Sequence, residues 1–282
     1  MQGHQPLMIS EIQQFGRTTG AVGSRTGSVE ASLDGLLLAL GMGSTAPAQA
    51  RFITAIERAL LDAVATPQDA HWHLHDLALA CDRAGEALLA HGRLEPGVDV
   101  LRLGLRIRNQ LGRLATTDTL FTATVEMPIE LAASHFAIAH AYQRGGYPKE
   151  ALAEMQAGIA TYRADAENGG DPYALDTLAA HLEDAGRIAK DVPNREAMRA
   201  LITESLGLRE RAARLAEEDP DLARAFIEAC VWRTPDLGKA SAQWLDRARR
   251  LLADREAGTH PIPGTSRLRN LVDTAGAPYL TG

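Results

Sequence analysis

Three histidines at alternate positions, His71, His73 and His75 in the run HWHLHD, stand six residues ahead of Cys81, one of only two cysteines in the chain. Imidazole is a common zinc ligand, and a structural or catalytic zinc needs at least three protein ligands held at about 2 Å. Alternate side chains share one face only in an extended segment. In a helix each residue turns by about 100°, and there Leu74, Leu77, Cys81, Ala84 and Leu88 form one apolar stripe. His71 and His73 then fall roughly 80° to either side of that stripe, and His75 faces away from it. The rings diverge. His71 and His75, one helical turn apart, stay as a weak two-ligand pair, and no metal or other cofactor is assigned.

HWHLHD resembles the H-x-H-x-D-H motif of the metallo-β-lactamase family only in passing, because Thr66-Pro67 reads as a helix start and the alternating strand and loop context of that family is absent. Elsewhere, GAVGSRTGS is glycine-rich but lacks the Lys-Ser/Thr ending of a phosphate-binding loop and follows no strand. H-E-x-x-H, G-x-S-x-G and paired Cys-x-x-Cys are all missing. No nucleophile comes with a base, so the sequence favours a non-enzyme. Arg102, Arg106 and Arg113 share one helical face, and Arg195, Arg199, Arg209, Arg211 and Arg214 decorate a later helix. Such runs are most simply solvated faces paired with Asp and Glu.

The elements that must position these residues are helices. Pro47, Pro67, Pro96, Pro128, Pro148, Pro172, Pro193, Pro220 and Pro235 each precede apolar residues at helical spacing. Proline suits the first helical turn, where its missing N–H has no intrahelical partner. Thr66, Asp171, Asp219 and Thr234 stand just before a proline, as side-chain caps do. With a further helix over 28–40 the chain has about ten helices, and no region alternates as a strand does.

Composition agrees. The 282 residues are 45% hydrophobic and 23% charged, but only 5% aromatic, so Ala and Leu must do most of the packing. A net charge of −7 argues against binding nucleic acid, whose phosphates reward clustered Lys and Arg. Cys81 and Cys230 fall in apolar helical patterns and read as buried thiols of a reducing compartment. The chain has no signal peptide and no apolar run long enough to span a membrane, which predicts a soluble, cytoplasmic protein.

Three helix pairs align. In the first, Cys81, Ala84, Gly85 and Leu88 precede a turn at Gly92, followed by Gly97 and Leu101. In the second, His135, Ile138, Ala139 and Tyr142 precede Gly146, followed by Ala151 and Met155. In the third, Leu175, Leu178, Ala179 and Leu182 precede Gly186, followed by Ala197 and Leu201 after a longer turn. Small residues in these slots let antiparallel helices approach closely, while larger ones fill the seam with the next pair. The pattern resembles the tetratricopeptide repeat (TPR) family, W-x2-L-G-x2-Y and then A-x3-F, most specifically over 134–159. Cys81, His135 and Leu175 stand in the Trp slot, so the match is divergent.

The resemblance implies an all-α fold, a right-handed α-solenoid of about five antiparallel helical hairpins. It covers a repeat domain over 28–256, between a flexible segment 1–27 and an extended tail 257–282 onto which Leu268, Leu271 and Val272 are able to dock. In such repeats the first helix of each hairpin lines the concave face. Phe136, His140, Gln143 and Arg144 are placed there, offering an aromatic surface, a switchable donor, an amide and a carboxylate-binding guanidinium. His135, in a core slot, reads as a hydrogen-bonded packing residue. The expected function is an interaction module that binds a peptide or protein partner, with no nucleic acid or membrane partner and with homo-oligomerisation left open. The alternatives are an all-α enzyme or accessory biosynthetic protein with a small-molecule cavity, and a signal-binding sensor domain.

Overall fold

A computed structural model describes residues 27–43, 45–65, 70–114, 125–192, 194–258 and 260–276. Thr66, Pro67, Pro193 and the segments 1–26 and 115–124 lie outside the described residues. The described residues form no strand. They build α1 (Gly27–Gly41), α2 (Ala46–Ala65), α3 (Ala70–Ala90), α4 (Leu94–Leu114), α5 (Met127–Arg144), α6 (Pro148–Asn168), α7 (Pro172–Ala189), α8 (Arg195–Leu215), α9 (Pro220–Trp232), a short α10 (Thr234–Leu237), α11 (Ser241–Ala257) and α12 (Thr265–Gly276). One 3-10 turn, Gly238–Ala240, leads into α11.

The chain divides into two compact units, Met1–Val125 and Glu126–Gly282. In the first unit α1 packs on α2, α3 packs on α4, and α3 also touches α1 and α2. In the second, α5 pairs with α6, α7 with α8, and α9 with α11, with α6 against α7 and α8 against α9. These are stacked helical hairpins, each covering an apolar face its neighbour cannot bury alone.

The prolines start helices as their chemistry requires. Pro128, Pro148, Pro172, Pro220 and Pro235 occupy first-turn positions. Asp171 accepts from the Tyr173 N–H at 3.0 Å, and Asp219 accepts from the N–H groups of Asp221 and Leu222 at 2.8 and 3.4 Å. Thr234 does not cap. Its hydroxyl donates back to the Cys230 carbonyl at 3.0 Å, because α10 follows α9 without an extended residue to aim that side chain forward. A cap not anticipated, Asn194, accepts from the Ala197 N–H at 3.0 Å.

Two of the three turns are built alike. Gly92 and Gly146 have φ of 72° and 80°. Around Gly146, the Tyr147 N–H donates to the Tyr142 carbonyl at 2.9 Å and the Gly146 N–H to Gln143 at 3.1 Å. Arg93 and Gly92 repeat that pattern on Leu88 and Leu89 at 2.9 and 3.0 Å. This left-handed termination satisfies carbonyls that a helix end leaves free. A Gly146→Ala substitution is therefore expected to destabilise the second unit by about 1 kcal/mol, read as a lower urea midpoint. Gly186, placed at the third turn by alignment, lies inside α7 instead. There a Cβ would lie 3.0 Å from Ile202, so it serves as a seam residue and α7 runs one turn beyond it.

Glycine also sets how closely α3 meets α4. Gly85 and Gly97 face each other, each with its missing Cβ 3.1 Å from the other's carbonyl oxygen. Gly104 continues that seam against Ala78 and Cys81. Beside it, Arg108 is 2% exposed and donates to both carboxylate oxygens of Asp82, at 3.0 and 2.5 Å. The 257–282 segment is not extended throughout, since 265–276 forms α12. Leu268 and Val272 bury against α9 and α11, while Leu271 stays 38% exposed. Arg224 fastens the approach to α12 by donating to the Pro263 carbonyl at 2.7 Å.

Candidate functional site

Helix α5 carries the residues singled out for recognition, and its hairpin turn holds their register. Arg144 is exposed on the last turn, with His140 and Gln143 half-buried beside it. None of these three side chains holds a hydrogen bond or ion pair within the described residues. Tyr142 meets the exposed Tyr147 edge-on at 6.2 Å, placing an aromatic pair at the same end of the helix. On the inward side, the His135 ring lies 2.8 Å from the Glu154 carboxylate on α6, as a hydrogen-bonded packing residue should.

Phe136 does not project with the other three. It is 8% exposed and stacks on His181 of α7, with centroids 3.7 Å apart and planes inclined by 21°. The physical reason is Gly158 on α6. A Cβ there would lie 2.5 Å from the Phe136 ring and 3.1 Å from the Ala132 carbonyl oxygen, so α6 approaches close enough to enclose the ring. Tyr162 closes the cluster edge-on to His181 at 6.2 Å, and its hydroxyl bonds Thr177. Phe136 is thus packed between α6 and α7 and is not part of the exposed surface of α5.

His181 is the functional candidate that sequence reasoning missed. Its Nδ1 is buried without a hydrogen-bond partner among the described residues. Burial first, and the charge of His140 second, push its pKa down to about 4, so the ring is neutral at ordinary pH. The one signal in the sequence was its place directly before the core residue Leu182. That neighbourhood says nothing about a ring arriving from another hairpin.

A second polar cluster joins α7, α8 and the end of α9. Glu183, 9% exposed, accepts from Arg233 at 2.8 Å and from Ser205 at 3.3 Å. Arg209 lies 3.6 Å from Glu183 and 3.4 Å from Asp176, and its side chain is mostly buried. Its placement corrects the solvated-face reading for this one arginine of α8. Asp236 extends the chain of charges to Lys190 at 2.5 Å and Arg233 at 3.7 Å. Three acids and three bases balance, which suits a structural lock more than a charged ligand site.

Among the described residues no three His, Cys, Asp or Glu side chains are grouped to hold a metal ion. His71, His73 and His75 are half-buried on α3, and His71 meets Trp72 at 5.9 Å. Burial pushes the Cys81 thiol up to about 12 and raises that of Cys230 as well, leaving both protonated and poorly nucleophilic. Within the described residues no helix is long and apolar enough to cross a membrane.

These hairpins, with their glycine turns and small-residue seams, define an all-α fold of stacked helical hairpins within each unit. No protein-family model matches the chain, and no curated protein matches it. Among solved structures it is similar to BtubC from P. vanneervenii, 18% identical over 85% of this chain and 92% of that one, with a TM-score of 0.42. It is also similar to a kinesin light chain with nearly identical TPR-like repeats from Podosopora anserina, 16% identical over 74% of this chain and 96% of that one, with a TM-score of 0.31. A de novo designed helical repeat protein is 17% identical over 91% of this chain and 96% of its own, with a TM-score of 0.25.

Proposed function

We propose that the chain is a non-catalytic interaction module that binds a peptide or protein partner along the exposed edge of α5. The observation that carries this reading is the line of His140, Gln143 and Arg144, three polar side chains with no hydrogen bond or ion pair among the described residues, on a helix anchored by the Phe136–His181 stack. Polar groups carried on a well-packed helix need little further backbone ordering when they engage a ligand, which lowers the entropy lost on binding. A guanidinium and an amide at this spacing favour carboxylate or main-chain amide groups on the partner.

The buried, protonated state of both thiols supports a binding role over a nucleophilic one. The test begins by capturing partners from the native host with the intact chain and identifying them by mass spectrometry. Affinity is then measured for the His140→Ala/Arg144→Ala variant. Loss of about tenfold or more in affinity at an unchanged urea midpoint is expected. Undiminished capture would place recognition on another face.

A further inference from the structure

We infer that the outer face of α1 docks an amphipathic helix whose apolar stripe is flanked by Lys and Arg. This surface belongs to the first unit.

The inference starts from a glycine with no internal purpose. Glycine inside a helix costs about 1 kcal/mol relative to alanine, so its presence calls for a compensating contact. Gly85, Gly97, Gly104 and Gly158 each have that contact, with backbone of a facing helix within 3.1 to 3.3 Å of the missing Cβ. Gly35, in the middle of α1, has nothing among the described residues within 4 Å. It forms the floor of a seam with no second helix among the described residues.

The residues around Gly35 fit such a seam. Ala31, Gly35 and Leu38 fall within roughly 60° of one another on α1, opposite the buried stripe of Val29, Leu33, Leu36 and Leu40, and Met42 follows in the turn just past its last residue. Leu38 is 66% and Met42 69% exposed, so two large apolar side chains meet water beside a backbone that another helix is able to approach.

Charge selects the occupant. Glu30 and Asp34 are the only charged residues on α1, and both lie along one flank of the stripe. Asp34 is exposed, and Glu30 faces Arg83 only at 3.6 Å with both side chains more than half exposed. A second copy of α1 packed antiparallel would bring acid against acid. A helix with basic residues beside its apolar stripe meets both the seam and the edge.

The probes are two synthetic amphipathic helical peptides with the same Leu/Ala stripe, one flanked by Lys and one by Glu, titrated against the full chain. The Lys peptide is expected to bind, about tenfold or more tighter than the Glu peptide, with the gap shrinking as salt is raised. Gly35→Leu fills the seam while improving helix propensity. It is expected to weaken the Lys peptide by about tenfold without lowering the urea midpoint. Leu38→Glu/Met42→Glu is expected to abolish binding, also at an unchanged midpoint.

Equal binding of both peptides, or of neither, overturns the inference. So does a lower midpoint for Leu38→Glu/Met42→Glu, which would mean that the chain itself already covers the face. Concentration-dependent dimerisation lost in that variant would assign the face to a second copy instead.

Discussion

Replacing Gly158 with valine is expected to lower the stability of the 126–282 unit by about 3 kcal/mol, even though valine is the better helix former. A Cβ at this position would sit 2.5 and 2.7 Å from two Phe136 ring atoms and 3.1 Å from the Ala132 carbonyl oxygen. A flexible side chain would swing aside, but the Phe136 ring has the His181 ring 3.7 Å behind it. Relief must come from moving α6 away from α5, which opens the seam that also buries Ala151, Met155 and Ile159.

Urea unfolding checks the size of the effect, and a double-mutant cycle with Phe136→Ala checks its cause. If the clash with the ring is responsible, removing the ring should recover much of the loss, giving a coupling of about 1–2 kcal/mol. Strictly additive effects would place the cost elsewhere, against the Ala132 carbonyl.

The same pair of residues shows where sequence reasoning reaches and where it stops. Helical spacing fixes an angle around an axis, and by that measure Phe136 belongs with His140 and Arg144. It does not fix how near the next helix stands. That distance is set by Gly158 on α6, seven residues beyond the aligned Ala151, and it turns an expected surface aromatic into a buried ring stacked on His181. His181 was overlooked for the same reason, since its partners Phe136 and Tyr162 come from the preceding hairpin.

Features with local causes were legible. Proline at the first turn, Asp171 and Asp219 as caps, Gly92 and Gly146 at positive φ, and the Gly85–Gly97 approach all follow from chemistry within a few residues or one hairpin. Long-range charge pairing was not. Arg108 finds Asp82 across 26 residues and Arg233 finds Glu183 across 50, and neither spacing carries a signal. The alignment that placed Gly186 at a turn failed because a small residue serves two purposes. In α7 it admits Ile202 of α8, whereas Gly92 and Gly146 permit a left-handed residue.

Acid should loosen the second unit through His181 before any carboxylate is neutralised below its ordinary range. The folded chain holds this ring neutral down to about pH 4, while an unfolded chain protonates it near 6.5. Between those values the unfolded state binds more protons, so stability rises with pH across the window and is complete above it. The full difference is on the order of 3 kcal/mol, lost as pH falls from 6.5 to 4.

The groups facing His181 are His140 from α5, which adds repulsion on protonation, and Phe136 and Tyr162, which offer it no anion. Asp219 acts in a different range. The Tyr173 hydroxyl bond holds its carboxyl below the usual value, so that contribution disappears only under pH 3.8. Burial raises Asp176, which opposes the His181 trend just above that point.

His181→Phe keeps the stack on Phe136 and removes the titrating atom together with its unpartnered Nδ1. The measurement is the urea midpoint of both proteins from pH 7 to pH 4. The variant should gain on the original by an amount that grows only below pH 6.5, on the order of 3 kcal/mol at the acid end. Parallel curves would show that the ring takes up its proton in the folded state at an ordinary pH. The stack of His181 on Phe136 would then be open to solvent rather than packed.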